Sequence, residues 1–308
     1  MKFASASGLP QVTALLPALF FVLGFLGRFH WALDLFSHFR AQYAVALLGC
    51  ALGFFLLRRK KSAAASLLAG LVIIGTIGFS SRPLPPPGRP VLKLISYNVQ
   101  TANTRHEEIL RFLENENADV LFLMEVNEDW VKALRPLEAR YPFRIVSPRE
   151  DNFGIALFSK RPFQGEVKEF GVYGIPWADI TLQDSGVRLT AIHTLPPSSE
   201  ENSQLRDEQL FETASLLQGN PRTILCGDFN LTPYSPGFSR LLRQSGLRST
   251  APPFSPTWSR HYPLFTIPID HVLLSSDLTL SSRRIGPSLG SDHNALIVEI
   301  AEAAIASP

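Results

Sequence analysis

Only two cysteines, Cys50 and Cys226, occur in 308 residues, so the chain can build neither a multi-disulfide framework nor a four-thiolate metal site. Any bound metal must be held by oxygen and nitrogen. Charge is sparse as well. Charged residues make up 18% of the chain against 45% hydrophobic, which excludes a disordered acidic or basic tail. Acids are nearly missing from the first part: residues 1–88 hold eight Lys/Arg and one acid, Asp34, a net of +7. Residues 89–308 hold 21 Lys/Arg and 26 Asp/Glu, a net of −5. Two different kinds of segment are joined here, and the length suits one large domain with an appendage. There is no internal repeat, and no low-complexity tract beyond one proline-rich stretch.

The first segment carries three apolar runs, Gln11 to Gly27, Ala41 to Leu57 and Ser62 to Ser80. A hydrocarbon core of roughly 30 Å needs about 17–25 helical residues, so each run is a candidate membrane span. A signal peptide would show one apolar core of about 7–15 residues rather than three in series. The expectation is therefore an uncleaved three-helix, multi-pass anchor over residues 1–80, with the lipid bilayer engaged through residues 11–80. Arg58-Arg59-Lys60-Lys61, the densest positive cluster, lies between the second and third runs, and positive loops stay in the cytoplasm. That rule places the N terminus with Lys2 inside. It places the Arg28 to Arg40 loop, and everything after Ser80, outside, so the large domain that follows the linker is expected to be extracytoplasmic. The Arg28/Arg40 loop is itself mildly basic, offset by Asp34. Repeated proline over residues 81–90 blocks helix continuation and marks a semi-rigid linker.

From Val91 the pattern changes to short apolar runs separated by turn residues. Strands are predicted at Val91–Val99, Asp119–Val126, Phe143–Val146, Gly154–Ser159, Trp177–Gln183, Val187–Thr194, Thr223–Asp228, Ile269–Leu274 and Ala295–Ile300. Thr104 with Glu107 looks like a capping box opening a helix through Glu114. A second helix, Glu128–Ala139, should kink or end near Pro136. A third, Gln204–Leu217, presents Leu210, Ala214 and Leu217 on one face and stops at Gly219. Strands outnumber helices, which implies an α/β fold of two packed sheets flanked by helices, the domain running over residues 91–308.

Polar residues recur where these apolar runs end. Asn98 follows LKLISY, and Glu125 closes DVLFLM. A glutamate there needs a salt bridge, solvent or a hard cation. In CGDFN, Asp228 and Asn230 are two apart and share a face of extended backbone, while Phe229 points the other way; a plain Asp/Asn turn is the alternative. His193 ends VRLTAI, Asp270-His271 lies within IPIDHVLL, and Ser291-Asp292-His293 precedes ALIVEI. Each alone has an ordinary structural reading.

Taken in order, SYNV, DVLFLMEV, AIHT, GDFN, IDHVLLS and SDHNALIVEI resemble the motifs of the endonuclease/exonuclease/phosphatase superfamily, the DNase I-like fold, across Val91 to Ile300. The resemblance implies a two-sheet sandwich and a metal-dependent phosphoric ester hydrolase. It makes Glu125 the principal metal ligand, with Asn98 and Asp292 completing or supporting the metal and phosphate site, and Mg²⁺ or Mn²⁺ the ion, which suits oxygen ligation. It makes Asp270 the group that orients His293, and leaves the general-base work between Asp228 and His293. Asn230 would hydrogen-bond the scissile phosphate, with Asn98 also in the phosphate site. His193 would donate to a non-bridging oxygen or help protonate the leaving group. Relatives pair that histidine with a carboxylate, for which Glu150 or Asp151 could serve here. Asp207, Glu208 and Glu212 read as a solvated helix face, His261 and His271 as loop residues, and Cys226 as a small core residue.

The implied partner is a phosphoester substrate, either nucleic acid or a phospholipid or small phosphodiester; no protein partner is predicted. A net of −5 does not favour duplex DNA, although Arg105, Arg144, Arg149 and Arg260 could form a local patch, and tethering at a bilayer favours a lipid-borne ester. The alternative is an inactive membrane-bound binding or scaffold module of the same fold. It is disfavoured because all eight candidate site residues are present.

Overall fold

The computed structural model describes residues 9–78 and 84–304. Lys2, the end of the third apolar run at Ser80 and residues 81–83 of the proline-rich stretch lie outside them. The chain divides into two compact units, one holding residues 1–81 with Thr232–Ser239, the other holding the remainder.

The first unit is helical: α1 (Leu9–Gly24), a 3₁₀ turn (Phe25–Arg28), α2 (Trp31–Asp34), a second 3₁₀ turn (Leu35–Phe39), α3 (Arg40–Leu56) and α4 (Lys60–Gly78). A turn at Leu57–Arg59 joins α3 to α4, with Arg58 in the left-handed region (φ 58°). Lys60 and Lys61 already belong to α4, so the positive cluster is half turn and half helix. Among the described residues, two helices are long and apolar enough to cross a membrane, Trp31–Leu56 and Lys60–Ile77. Of the three expected spans, the described residues thus bear out two as candidates by length and composition. At 16 residues, with Pro17 inside it, α1 reaches roughly 24 Å, and Gly24 and Gly27 then let the chain bend back closely onto Ser37 and Asp34.

The second unit is an α/β sandwich of two six-stranded sheets. Its strands are β1 (Pro87–Asn98), β2 (Val120–Met124), β3 (Phe143–Ser147), β4 (Ile155–Ser159), β5 (Phe163–Phe170), β6 (Ile175–Leu182), β7 (Arg188–His193), β8 (Thr223–Asp228), β9 (Arg248–Ser249), β10 (Asp270–Leu274), β11 (Leu278–Ile285) and β12 (Leu296–Ala303). One sheet runs β11-β12-β1-β2-β4-β3 and the other β5-β6-β7-β8-β10-β9. The helices are α5 (His106–Glu116), α6 (Glu128–Leu134), α7 (Glu200–Leu217) and α8 (Pro236–Ser245), the last starting in the other unit.

Alternation decides what each face buries. Leu92, Leu94, Phe122, Met124, Leu157 and Val298 pack between the sheets against Ile180, Leu189, Ile224 and Val272. Ile95, Tyr97, Leu121 and Leu123 point outward and are covered by Ile109 and Leu113 of α5 and Trp130 and Leu134 of α6. With both faces covered, β2 is fully buried and reads as a continuous apolar run.

Several boundaries differ from expectation for identifiable reasons. β1 starts at Pro87, so part of the proline stretch is strand; there it pairs with β12 alone, and pairing with β2 begins only at Leu94. A missing N–H is tolerated on an unpaired edge. The capping box at Thr104 does not form. Asn103 Oδ1 accepts from Arg105 N at 3.0 Å, α5 opens at His106 with no side-chain cap, and Glu107 falls one position short of the box. The second helix gives way to a 3₁₀ turn at Arg135–Ala139, with Pro136 near its start. α7 begins four residues early, because Ser199 Oγ accepts from Asn202 N at 3.1 Å.

Candidate active site

Register gathers the candidate residues at one end of the sandwich. Parallel pairing of β1 with β2 sets Asn98 beside Met124, so Glu125 emerges next to it. β12 runs antiparallel to β1, with Leu296 opposite Ser96, which brings the residues just before β12 back to the same end. In the other sheet β7 and β8 are parallel with His193 beside Asp228, and β10 is antiparallel with Asp270 opposite Asp228.

Two hydrogen-bonded groups result. In the first, Asn98 Nδ2 donates to Glu125 Oε1 at 2.8 Å, and Thr101 N donates to Oε2 at 3.1 Å. Glu125 sits in the left-handed region at φ 62°, held there by Val126 N donating to Gly154 O and by Thr101 Oγ1 donating to the Glu125 carbonyl. Gly154 has no room for a side chain, since a Cβ there would lie 1.9 Å from the Val126 carbonyl. Burial pushes the Glu125 carboxyl above its usual range, against the two hydrogen bonds that favour its charge. Asp292 belongs to the same neighbourhood, and its Oδ2 accepts from Trp258 Nε1 at 2.8 Å.

In the second group His293 lies between two carboxylates, with Nδ1 2.9 Å from Asp270 Oδ2 and Nε2 3.5 Å from Asp228 Oδ2. Burial alone would drive this imidazole toward neutrality, but Asp270 and Asp228 outweigh it and hold its pKa up at about 10. Asp270 responds in the opposite sense: burial disfavours its charge, yet the His293 imidazolium keeps it ionised. Asp228, buried beside the Asp270 charge, is pushed up to about 8. The ligand atoms of Asp228, Asp270 and His293 lie within 4.8 Å of one another. The groups meet where Asn98 Nδ2 comes within 3.4 Å of His293 Nε2.

His193 Nε2 stands 3.8 Å from Asp228 Oδ2, and its ring packs on Phe153 at 5.1 Å. Burial, then the charge on His293, push it down to about 3, so it is neutral at pH 7. Asn230, at φ 47°, is tied by its N–H to Asp228 Oδ1 (2.9 Å) and by Nδ2 to the Thr194 carbonyl (2.8 Å). All eight expected residues therefore converge.

Other expectations are corrected. Neither Glu150 nor Asp151 partners His193: Asp151 is held by Arg149 at 2.5–3.1 Å, and Glu150 accepts from Asn127 and from Glu128 N. His193 Nδ1 is buried without a hydrogen-bond partner. His271 is not a loop residue. It lies in β10, buried, with Nε2 2.8 Å from the Leu231 carbonyl. The possible basic patch is largely neutralised, because Arg105, Arg144 and Arg149 pair with Glu108, Glu138 and Asp151. Glu208 and Glu212 are exposed as expected, but Asp207 is half-buried and paired with Arg206, a buried arginine that also donates to the Asn230 carbonyl at 3.2 Å. Trp258 and Arg206 escaped the sequence reading because each acts from a loop or helix far along the chain, and Thr101, three residues past Asn98, because no motif marks its bonds to Glu125.

The donor set fits a hard cation. Asp292 Oδ1 and Asp270 Oδ1 are buried acceptors without a hydrogen-bond partner, and the desolvated Glu125 carboxylate gains most from a neighbouring positive charge. Oxygen donors, two imidazoles and two coupled carboxylates at one end of a two-sheet α/β sandwich define a metal-dependent phosphoric ester hydrolase. Residues 95–293 match the model of the Endonuclease/Exonuclease/phosphatase family, and the chain belongs to that family. No curated protein matches it. Similar solved structures include TDP2 of D. rerio complexed with a single-strand DNA product (20% identity, 68% of this chain and 98% of that one, TM-score 0.57). Sphingomyelinase C from Streptomyces griseocarneus is a second (19%, 69% and 99%, TM-score 0.51). Beta toxin from Staphylococcus aureus with bound magnesium ions is a third (17%, 68% and 99%, TM-score 0.51). At these identities the likeness is one of fold.

Proposed function

We propose that the protein is a membrane-anchored hydrolase of phosphodiester bonds in which Glu125, with Asp292 and the supporting amide of Asn98, holds Mg²⁺ or Mn²⁺. The observation that carries this reading is the lodging of His293 between Asp270 and Asp228, beside a desolvated Glu125 that Asn98 and Thr101 aim at the same space. When bound, the ion supplies Lewis-acid stabilisation of charge on the phosphoryl oxygens.

The remaining work falls to this chain's own side chains. His293 keeps its proton at neutral pH, so it serves as a positive hydrogen-bond donor to phosphate rather than as a base. Asp228 is then the proton acceptor for the attacking water. Its raised pKa matches a base working near neutrality. Asn230 and neutral His193 donate hydrogen bonds to non-bridging oxygens. Held neutral by burial and by the charge on His293 despite Asp228 nearby, His193 is a poor candidate for protonating the leaving group.

Charge and anchorage favour a small or lipid-borne phosphodiester over duplex DNA. Three of the four arginines of the possible patch, Arg105, Arg144 and Arg149, are paired with acids, whereas Leu52, Phe55, Leu68, Leu71 and Val72 of α3 and α4 are exposed apolar residues, a surface suited to lipid. With Trp31–Leu56 and Lys60–Ile77 as the two spans, the positive-inside rule puts Arg58–Lys61 in the cytoplasm and the hydrolase outside it. The test is hydrolysis by the full chain in detergent, with Mg²⁺, of single-stranded DNA, duplex DNA, phospholipid and a small phosphodiester. Metal-dependent turnover of at least one that Glu125→Gln abolishes is expected. Equal behaviour of wild type and variant on every substrate refutes the proposal. A reporter fused after Pro308 tests topology, a cytoplasmic signal overturning the outward placement.

A further inference from the structure

The large apolar side chains left exposed on the sandwich are not scattered. Among the described residues of that unit, Val172 and Tyr173 stand exposed in the turn between β5 and β6, and Phe254, Tyr262, Leu264 and Phe265 in the segment leading into β10; the others are Phe143 and Leu216. Topology puts both loops at the catalytic end. β7 and β8 finish there with His193 and Asp228, and β10 begins there with Asp270. β6 runs antiparallel to β7, so its first residue, Ile175, and the turn before it lie at that end too. In the strand order β5-β6-β7-β8-β10-β9 the two loops therefore flank the site. Phe143, opposite Ser159, and Leu216, late in α7, lie at the other end.

Each loop has a fixed stem and a bare tip. Trp258 pairs with Ile267 across a β-bridge, Arg260 N donates to the Asp292 carbonyl at 2.8 Å, and Asn294 N donates to the Thr257 carbonyl at 2.8 Å. The segment is thereby tied to the residues on either side of His293, while residues 260–265 are exposed throughout. Leu264 and Phe265 sit there on a 3₁₀ turn, 81% and 57% exposed. On the other side Arg149 holds the β5–β6 turn by donating to the Gly174 and Tyr173 carbonyls at 2.8 and 3.2 Å, and Val172 is left 86% exposed. Apolar side chains held out in water gain free energy only when something apolar covers them.

The chemistry of the tips selects the cover. Val172 and Leu264, the most exposed of the six, are aliphatic and give a nucleobase no ring to stack on, and a single strand also needs a positive track, whereas Arg105, Arg144 and Arg149 are paired with acids. Arg260, at the base of the second tip, is exposed and has no acid partner among the described residues. Apolar tips with one free cation beside them match the boundary between hydrocarbon and anionic headgroups. We infer that the β5–β6 turn and the Arg260–Phe265 tip form an apolar rim that seats the catalytic end on a lipid surface, so that the phosphodiester cleaved is that of an acylated lipid. The choice of substrate rests on the phosphodiesterase reading, but the lipid-seating surface does not.

Two measurements on the full chain test it. The first is turnover, with Mg²⁺, of phosphatidylcholine and phosphatidylglycerol in mixed detergent micelles, beside bis(p-nitrophenyl) phosphate as a soluble diester and single-stranded DNA. The paired change Leu264→Ser/Phe265→Ser is expected to raise KM for micellar lipid about tenfold, the loss of apolar burial by two side chains, with kcat unchanged and turnover of the soluble diester within twofold of wild type. Val172→Ser is expected to act in the same direction, and Arg260→Gln to weaken turnover of phosphatidylglycerol more than that of phosphatidylcholine. Micellar turnover within twofold of wild type in the paired variant overturns the rim. So does a wild type that cleaves the soluble diester or DNA but neither lipid. The second measurement needs no turnover. An NBD fluorophore on Leu264→Cys, in a Cys50→Ala background and in proteoliposomes, is expected to be quenched by phosphatidylcholine spin-labelled on its acyl chain. Fluorescence that responds only to an aqueous quencher overturns the lipid surface. Quenching by the lipid label, together with equal behaviour of wild type and Glu125→Gln on every substrate, would instead discard the phosphodiesterase reading and keep the surface.

Discussion

Asp228 and His293 divide a job that residue identity alone leaves ambiguous. Both are buried at strand ends, and either could accept a proton. Contact with two carboxylates is what keeps His293 charged, and under the proposed function this leaves the role of base to Asp228. Asp228→Asn is accordingly expected to lower kcat by about 10²–10⁴, the usual worth of a general base, with little change in KM, as measured by steady-state hydrolysis. The charge assignment has its own check. Metal-free protein labelled with ¹³C-histidine should show His293 titrating near 10, and Asp270→Asn should move that titration toward the ordinary histidine value of about 6.5. An unmoved titration would show that Asp270 does not sustain the charge. Because the folded pKa is raised, the pair's contribution to stability is complete below about 6.5 and disappears as pH climbs through 10.

Strands and helices were legible to different degrees. β2, β7, β8 and β10 stand close to where their apolar runs predict, because a strand buried on both faces must be apolar throughout. β5 and β11 went unrecognised. Both are edge strands of FQGEVKEF and LTLSSRRI composition, and half-exposed edges lose the apolar signal. β6 holds a feature with a measurable consequence: Asp179 accepts from Arg188 (2.8 and 2.9 Å), Lys168 (2.9 Å) and Thr190 (3.0 Å). Burial works against this carboxylate, but Arg188 and Lys168 more than compensate and depress its pKa. The sign follows from that depression. Its stabilising effect is present above the unfolded value of about 3.9 and fades as pH falls through the lower folded one. Asp179→Asn should destabilise the full chain by about 2–3 kcal/mol at pH 7, below the loss typical of fully buried pairs because Lys168 is over a third exposed. Unfolding midpoints of variant and wild type should converge in acid. A gap that persists at pH 3 would assign the effect to packing instead.

For the molecule as a whole, the split into a basic apolar segment and an acidic α/β segment was plain in composition, and two of the three apolar runs are long enough as helices to cross a bilayer. The paired arginines around the site argue for weak electrostatic capture of substrate. Binding of single-stranded DNA should therefore show a shallow log–log salt dependence, well below the slope of about −0.7 per neutralised phosphate expected of a basic groove. A steep slope would favour a nucleic acid as substrate.

Motif order and the type of residue closing each apolar run were enough to identify the family and to single out eight polar residues that the fold gathers at one end of the sandwich, since strand ends can carry polar groups that strand interiors cannot. Protonation states, the lack of a hydrogen-bond partner for His193 Nδ1 and the Trp258 and Arg206 contacts were not readable there. Each depends on groups 23 or more residues apart in the chain, and a pKa or a buried hydrogen bond is set by what lies within a few ångströms in space, whatever the distance along the backbone.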